Sequence, residues 1–234
     1  MSTVGGSDLP FTIGQALREG DLPQTTSFKG RSTDIQAVVK NRWPDGSAKF
    51  VLLSGRSSLA ASAWSAISID KVKAHAPAAN EVITASAVAQ SGLSVRIEFE
   101  PHGSAIFDAD EWLTPVDTHA TGTIMSSFTY RKPIGADAHL VAWIELRAYS
   151  KGEVELLAWI ENGFLQVANP NVKTGHVRLR MNDAVRFESD LSLMNHQRAV
   201  LAEGEEFTHW AHRSSPRLVW KHDLAYLMQT KLVP

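Results

Sequence analysis

Between two apolar runs, Ile35-Gln36-Ala37-Val38-Val39 and Phe50-Val51-Leu52-Leu53, the chain carries Asn41-Arg42-Trp43-Pro44-Asp45-Gly46-Ser47-Ala48-Lys49. Pro44 presets φ for the first central position of a turn, and Asp45-Gly46 tolerates its tight and left-handed positions. Short β-forming runs on either side of such a turn pair as an antiparallel hairpin. The same grammar recurs nearby. Phe11 to Leu17 alternates like a strand after a loose leader at residues 1–8, Gly20-Asp21-Leu22-Pro23 breaks the chain, and Trp64 to Ile69 alternates again. Four or five short strands in about the first 72 residues, at hairpin spacing, predict a small barrel-like domain.

Residues 73–81 lose periodicity and shift to small residues and proline, which reads as a linker. Strands are expected to resume at Val82 to Ala89 and Leu93 to Phe99, around Gln90-Ser91-Gly92. The clearest element follows. Leu140 to Tyr149 and Val154 to Glu161 flank Ser150-Lys151-Gly152, a three-residue loop with glycine where a left-handed residue is needed. That register sets Arg147 against Glu155 and Trp143 against Trp159. It gathers Ile144, Leu146, Leu156, Ala158 and Ile160 on the other face. Val177 to Met181, Asn182-Asp183 and Ala184 to Glu188 spell a second hairpin, with Arg178, Arg180 and Arg186 facing outward. Leu191 to Met194 and Glu206 to Trp210 would add two strands. The pattern predicts an antiparallel sandwich. A short C-terminal helix is expected to start with Ser215 as cap and Pro216 in its first turn. Its stripe would be Leu218, Leu224, Leu227 and Met228. The chain is thus expected to be all-β, with a barrel-like domain at 1–75, a sandwich at 80–213 and a helical docking tail at 214–234.

Composition narrows the function classes. The 234 residues are 44% hydrophobic and 21% charged, an ordinary globular balance. A net charge of -2 gives no field to recruit nucleic acid or an anionic membrane, so neither is an expected partner. The absence of cysteine excludes disulfides, thiolate metal sites and a cysteine nucleophile. No apolar run approaches the roughly 20 residues of a membrane span. Met1-Ser2-Thr3-Val4-Gly5-Gly6 has neither the basic nor the apolar region of a signal peptide. The expected location is a virion if the chain is phage-encoded, and otherwise the cytoplasm.

Several constellations bear on chemistry. His209, His212 and His222, with His196 and Asp223 nearby, lack helix-face ligand spacing, and residues i and i+3 of a strand face opposite ways. They are expected to be surface or packing histidines, with no metal or other cofactor held. Trp43, Trp143, Trp159 and Trp210 either fill the core or offer rigid faces to sugar rings. The Trp143/Trp159 pair is the best placed for the latter. Arg178, Arg180 and Arg186 would form a stripe suited to an acidic polysaccharide, unless they are simply a solvated strand face. Glu203, Glu205 and Glu206 form an acidic patch without an assigned role. Asp108, Asp110 and Glu111 lack the glycine and distal glutamate of a calcium loop. No phosphate-binding loop, dinucleotide fingerprint or nucleophile elbow is present, and no catalytic residue is assigned.

Phe11 to Ala16, Gly20 to Pro23, the Gln36 strand and Trp43-Pro44-Asp45-Gly46-Ser47 together resemble the N-terminal barrel domain of exo-rhamnogalacturonan lyase-like (YetA-like) proteins. His222 to Leu227 and Lys231 to Pro234 resemble the opening of the helical toroid that follows the central β-sandwich in that family. The resemblance implies a β scaffold and extends to relatives in phage and prophage tails. It also implies that the substrate cleft is built largely by the toroid, which this sequence does not include. Uronate elimination needs a carboxylate neutraliser and a base over the abstracted proton, and neither role falls on a residue here. Three readings follow. The favoured one is a non-catalytic structural or adaptor protein of a phage tail, whose partners are other protein chains. The second is the carbohydrate-binding portion of a polysaccharide lyase-like enzyme. The third is a complete small enzyme.

Overall fold

A computed structural model describes residues 5–163, 171–204, 207–211, 214, 216 and 218–232. The protein is all-β, with 53% of residues in strands and 9% in helix. Among the described residues helix is confined to α1 (Ala85–Gln90), α2 (Leu224–Gln229) and two 3-10 segments, Ala79–Glu81 and Ala109–Leu113. Among the described residues no helix is long and apolar enough to cross a membrane. The chain divides into two compact units.

The first unit takes Met1–Ile83 together with Ala120–Met125 and Pro216–Pro234. Its strands are β1 (Gly6–Ala16), β2 (Thr26–Gly30), β3 (Ile35–Arg42), β4 (Ala48–Leu59) and β5 (Ile69–Lys73). They form a sheet in the order β1-β4-β3 and an antiparallel β2-β5 pair. The β3–β4 connection is the expected turn. The Trp43 carbonyl accepts from Gly46 N–H at 2.9 Å, Gly46 takes φ +85°, and the Asp45 side chain accepts from Ser47 N–H and Oγ. Leu17, Leu22, Phe28, Ala48, Val51 and Leu53 make the core, and Tyr226 packs against it from the C-terminal segment.

The segment 120–125 is tied to this unit by the Ile83 N–H, which donates to the Gly122 carbonyl at 3.0 Å, and by the Gln36 side chain. Gln36, on β3, accepts from Ile124 N–H and Met125 N–H through Oε1, at 2.9 and 3.0 Å. Its Nε2 donates to the Met125 carbonyl at 2.7 Å. A side-chain amide can satisfy both kinds of backbone group at once. Gly122 lies so close to the Gln36 amide that a Cβ there would collide with it.

The second unit, Thr84–His119 with Ser126–Ser215, is the sandwich. It adds β6 (Val95–Glu100), β7 (Gly103–Phe107), β8 (Asp117–Ala120), β9 (Met125–Ile134), β10 (Asp137–Tyr149), β11 (Val154–Asn162), β12 (Lys173–Met181), β13 (Ala184–Leu193), β14 (Gln197–Val200) and β15 (His209–Ala211). One sheet runs β13-β12-β6-β7; the other runs β14-β11-β10-β9-β8, with β15 also paired to β11. The β10–β11 register is the expected one: Arg147 opposes Glu155, Trp143 opposes Trp159, and Gly152 closes the loop at φ +83°. Ile144, Leu146, Leu156, Ala158 and Ile160 are fully buried on the core face. Trp112 plugs the core. It stacks on Phe107, meets Tyr130 edge-on, and donates its indole N–H to the Leu93 carbonyl at 2.8 Å.

The second hairpin has its two-residue turn, with Asn182 and Asp183 both at positive φ. A bulge then opens between Leu179 and Arg180, so that Leu179 opposes Phe187. Without that extra residue an unbroken two-residue register would have turned Phe187 outward and Arg186 inward. Burial of Phe187 favours the bulge.

Elsewhere the structure corrects the sequence reading. Val82 to Ala89 is not a strand; it holds the end of a 3-10 turn and most of α1. Its alanines favour helix, and Val88 alone among the α1 residues is buried. Trp64 to Ser68 is not a strand; Trp64 to Ile67 walls a cavity instead, and the strand begins only at Ile69. Leu191 to Leu193 continues β13 and is no separate strand. Strand structure near Trp210 covers His209–Ala211; Glu206 lies outside the described residues. β1 begins at Gly6, inside the expected leader. The C-terminal helix starts at Leu224, capped by Asp223, whose carboxylate accepts from Tyr226 N–H at 3.0 Å. The expected cap Ser215 lies outside the described residues, and Pro216 is buried well before the helix.

Candidate ligand-binding cavity and outer-face clusters

Strand alternation aims Phe11, Ile13 and Gln15 of β1 and Leu53 and Ser57 of β4 to one side. With Ile69 and Lys71 of β5 they line a cavity of about 720 Å³ in the first unit. Two irregular stretches, 64–67 and 218–223, complete its wall. Trp220 meets Phe11 there, ring centroids 4.8 Å apart. One end is polar. Arg18 Nε donates to Asp21 at 2.9 Å, and Tyr226 Oη donates to the same Asp21 oxygen at 2.7 Å. Arg18 N–H donates back to Tyr226 Oη at 3.2 Å, and Arg18 Nη1 donates to Gln229 Oε1 at 2.6 Å. These bonds fasten the C-terminal segment to the turn after β1. The Arg18 hydrogen bond, aided by the Tyr226 hydroxyl and the nearby Lys71 charge, holds the Asp21 carboxyl below its ordinary range. Burial, then the Asp21 contact, pushes the Tyr226 hydroxyl up. Lys71 and Lys221 also reach the cavity, and neither meets a carboxylate within ion-pair distance among the described residues. Lys221 lies over the Trp64 ring at 6.0 Å.

Sequence reasoning did not find this cavity. Its signal was spread over six separate stretches, which only the β1-β4-β3 and β2-β5 pairings bring together.

Trp143 and Trp159 do come together. They stack with ring centroids 5.8 Å apart and planes 4° from parallel, on the sheet face away from the core. Both are half-buried, and Arg131 sits over the Trp143 ring at 5.5 Å. Both indole nitrogens are buried without a hydrogen-bond partner. Beside them runs a network. Arg147 reaches Glu145 and Glu155, Ser127 donates to Glu145, and Tyr149 and Thr208 donate to Glu155. Trp210 stacks on Tyr149 and is buried, while Trp43 donates its indole N–H to the Leu17 carbonyl.

The arginines lie among acids. Arg178 meets Glu188 at 2.6 Å and Glu98 at 3.6 Å; Arg180 lies 3.6 Å from Glu98 and donates to the Asp183 carbonyl. Arg186 is exposed at the bulge. His176 contacts Asp190 and Glu188, and those two hydrogen bonds, Asp190 first, raise its pKa. The outer face of this sheet is therefore a mixed-charge ladder. Glu98 is invisible to a reading of the hairpin alone, because it arrives from β6 across the β12 register.

The C-terminal residues separate. Leu218 lines the cavity and is not helical. Leu224 and Met228, one turn apart on α2, are 70% and 63% exposed, and Leu227 is half-buried. Among the histidines, His209 Nε2 bonds the Leu201 carbonyl at 2.6 Å and His222 Nδ1 lies 3.4 Å from Gln15 Oε1. His212, Glu205 and Glu206 lie outside the described residues. Glu111 pairs with Lys132. No group of metal-ligating side chains occurs among the described residues. Compared with known protein families, curated proteins and solved structures, the chain has no significant match.

Proposed function

We propose that the chain is a non-catalytic adaptor, a β scaffold that joins other protein chains in an assembly such as a phage tail. In that setting it resides in the virion. The observation that carries the reading is the two-sidedness of α2. Tyr226 ties one side to the first unit, while Leu224 and Met228 present an apolar pair to solvent. Exposed apolar area of this kind gains about 25 cal/mol per Å² when a neighbour covers it. The resemblance to YetA-like proteins supports the β scaffold and its tail-associated setting. Sedimentation across a concentration series tests the reading. Association that disappears in Leu224→Glu/Met228→Glu is expected, and a monomer at every concentration opposes it. Sustained formation of unsaturated uronates from acidic polysaccharide, followed by ultraviolet absorbance, would overturn the non-catalytic part.

A second reading, binding of an acidic polysaccharide at Trp143 and Trp159, is favoured by the half-exposed stack of two parallel rings. Arg178, Arg180 and Arg186 lie on the other sheet, where Arg178 and Arg180 already meet Glu98 and Glu188, so they are not part of that surface. Calorimetry with pectic fragments, compared between the native chain and Trp159→Ala, tests it.

A further inference from the structure

We infer that the cavity of the first unit is a binding site for a single-chain amphiphile with a carboxylate head. This goes beyond the adaptor reading and does not depend on it. The cavity, about 720 Å³, falls within the roughly 300–1,000 Å³ typical of small-molecule sites. Its interior is aliphatic and aromatic. Ile13, Ile35, Leu53 and Ile69 come from four strands, and Phe11 and Trp220 close one side. Polar ligands that need a hydrogen bond from every wall find few partners there, whereas an alkyl chain needs none.

The head group is chosen by charge. Five charged side chains line the cavity, Arg18, Asp21, Asp223, Lys71 and Lys221, and three are already committed. Arg18 and Asp21 neutralise each other, and the Asp223 carboxylate accepts the capping N–H of Tyr226. Lys71 and Lys221 make no ion pair among the described residues, although Lys71 lies near enough to Asp21 for its charge to be felt there. An anionic head beside them gains a charge-assisted hydrogen bond, and a cationic head meets repulsion.

The ligand's wall includes Trp220 and Trp64, so tryptophan fluorescence reports on occupancy. The probe is dodecanoate below its micellar concentration, titrated into the whole chain and checked by calorimetry. Dodecylamine and dodecanol serve as comparators. We expect saturable one-to-one binding of dodecanoate, with the amine weaker by about tenfold or more. Lys71→Glu should weaken dodecanoate by about the same factor. Two cavity-filling variants from separate stretches of the wall, Ser57→Phe and Ile67→Trp, should each abolish binding while circular dichroism and melting temperature show a folded chain. Using both keeps the test valid if one fails to fold. Absence of saturable binding overturns the inference. So does equal binding of acid and amine, binding untouched by folded filling variants, or flotation with phosphatidylglycerol vesicles in place of one-to-one binding.

Discussion

Replacing Gln36 by leucine should cost the first unit about 3 kcal/mol, by removing three hydrogen bonds and leaving their backbone partners behind. Leucine keeps the bulk and deletes the amide. Ile124 N–H, Met125 N–H and the Met125 carbonyl then lose their partner, and Met125 is fully buried. A buried group stranded in this way costs about 1–3 kcal/mol. Ile124 is only half-buried, so water recovers part of its share, and three groups at the low end of that range sum to about 3 kcal/mol. For a small domain, about 1 kcal/mol shifts the melting temperature by roughly 4–8 °C, so a fall of at least about 10 °C is expected. Differential scanning calorimetry reads it. The control is Gly122→Ala, whose new Cβ would push the Gln36 amide out of its seat. Both changes break one clamp, so their costs should not add. The double variant should be little worse than the poorer single one, a coupling of about 2 kcal/mol. A loss below about 0.5 kcal/mol for Gln36→Leu, or simple additivity in the double variant, would refute the clamp.

Gly152→Val should destabilise the sandwich by about 1 kcal/mol or more. The residue sits at φ +83° with open space around it, so the cost is backbone strain alone. Gly152→Asn should cost less, and an unchanged melting temperature for the valine variant would contradict the loop geometry. The Asp21–Tyr226 contact predicts opposite pH limbs. Asp21 has a depressed folded-state pKa, so its contribution is present above the ordinary carboxylate range and is lost as acid takes the pH through the depressed value. Tyr226 has a raised one, so its contribution holds below the ordinary tyrosine range and is lost as alkali takes the pH through the raised value. Asp21→Asn should flatten the acid limb of a stability–pH curve and Tyr226→Phe the alkaline one, the latter also costing about 1 kcal/mol at neutral pH.

Much of the architecture was legible because its signals are local. Pro44-Asp45-Gly46 and Ser150-Lys151-Gly152 each encode their own turn, and the turn fixes the register on either side. The pairing of Trp143 with Trp159 followed directly. What escaped is carried by distant partners. β14 pairs only Trp159 to Asn162, and its short Asn195-His196 turn carries neither glycine nor proline. The bulge opposite Arg180 is set by the need to bury Phe187, which depends on what the sheet packs against. The arginine stripe read as basic because Glu98 lies on another strand. α1 read as a strand because Val82, Thr84 and alternating small residues mimic period two, while its real determinant is the burial of Val88.

The C-terminal segment joins the two functional inferences without making them one. Residues 218–223 form part of the cavity wall, and α2 begins directly after them. Tyr226 belongs to both: its ring lines the cavity, its hydroxyl holds Asp21, and its helix exposes Leu224 and Met228 on the other side. A ligand that ordered the wall would therefore act on the same short helix that a partner covers. Coupling between the two sites is an energetic matter, and it has to be reciprocal if present. Changes confined to the outer side, Leu224→Glu and Met228→Glu, leave the Tyr226–Asp21–Arg18 contacts in place. Changes confined to the wall, Ser57→Phe and Ile67→Trp, leave the exposed pair in place. The two sets of variants thus separate the adaptor reading from the cavity reading, and either can fail while the other stands.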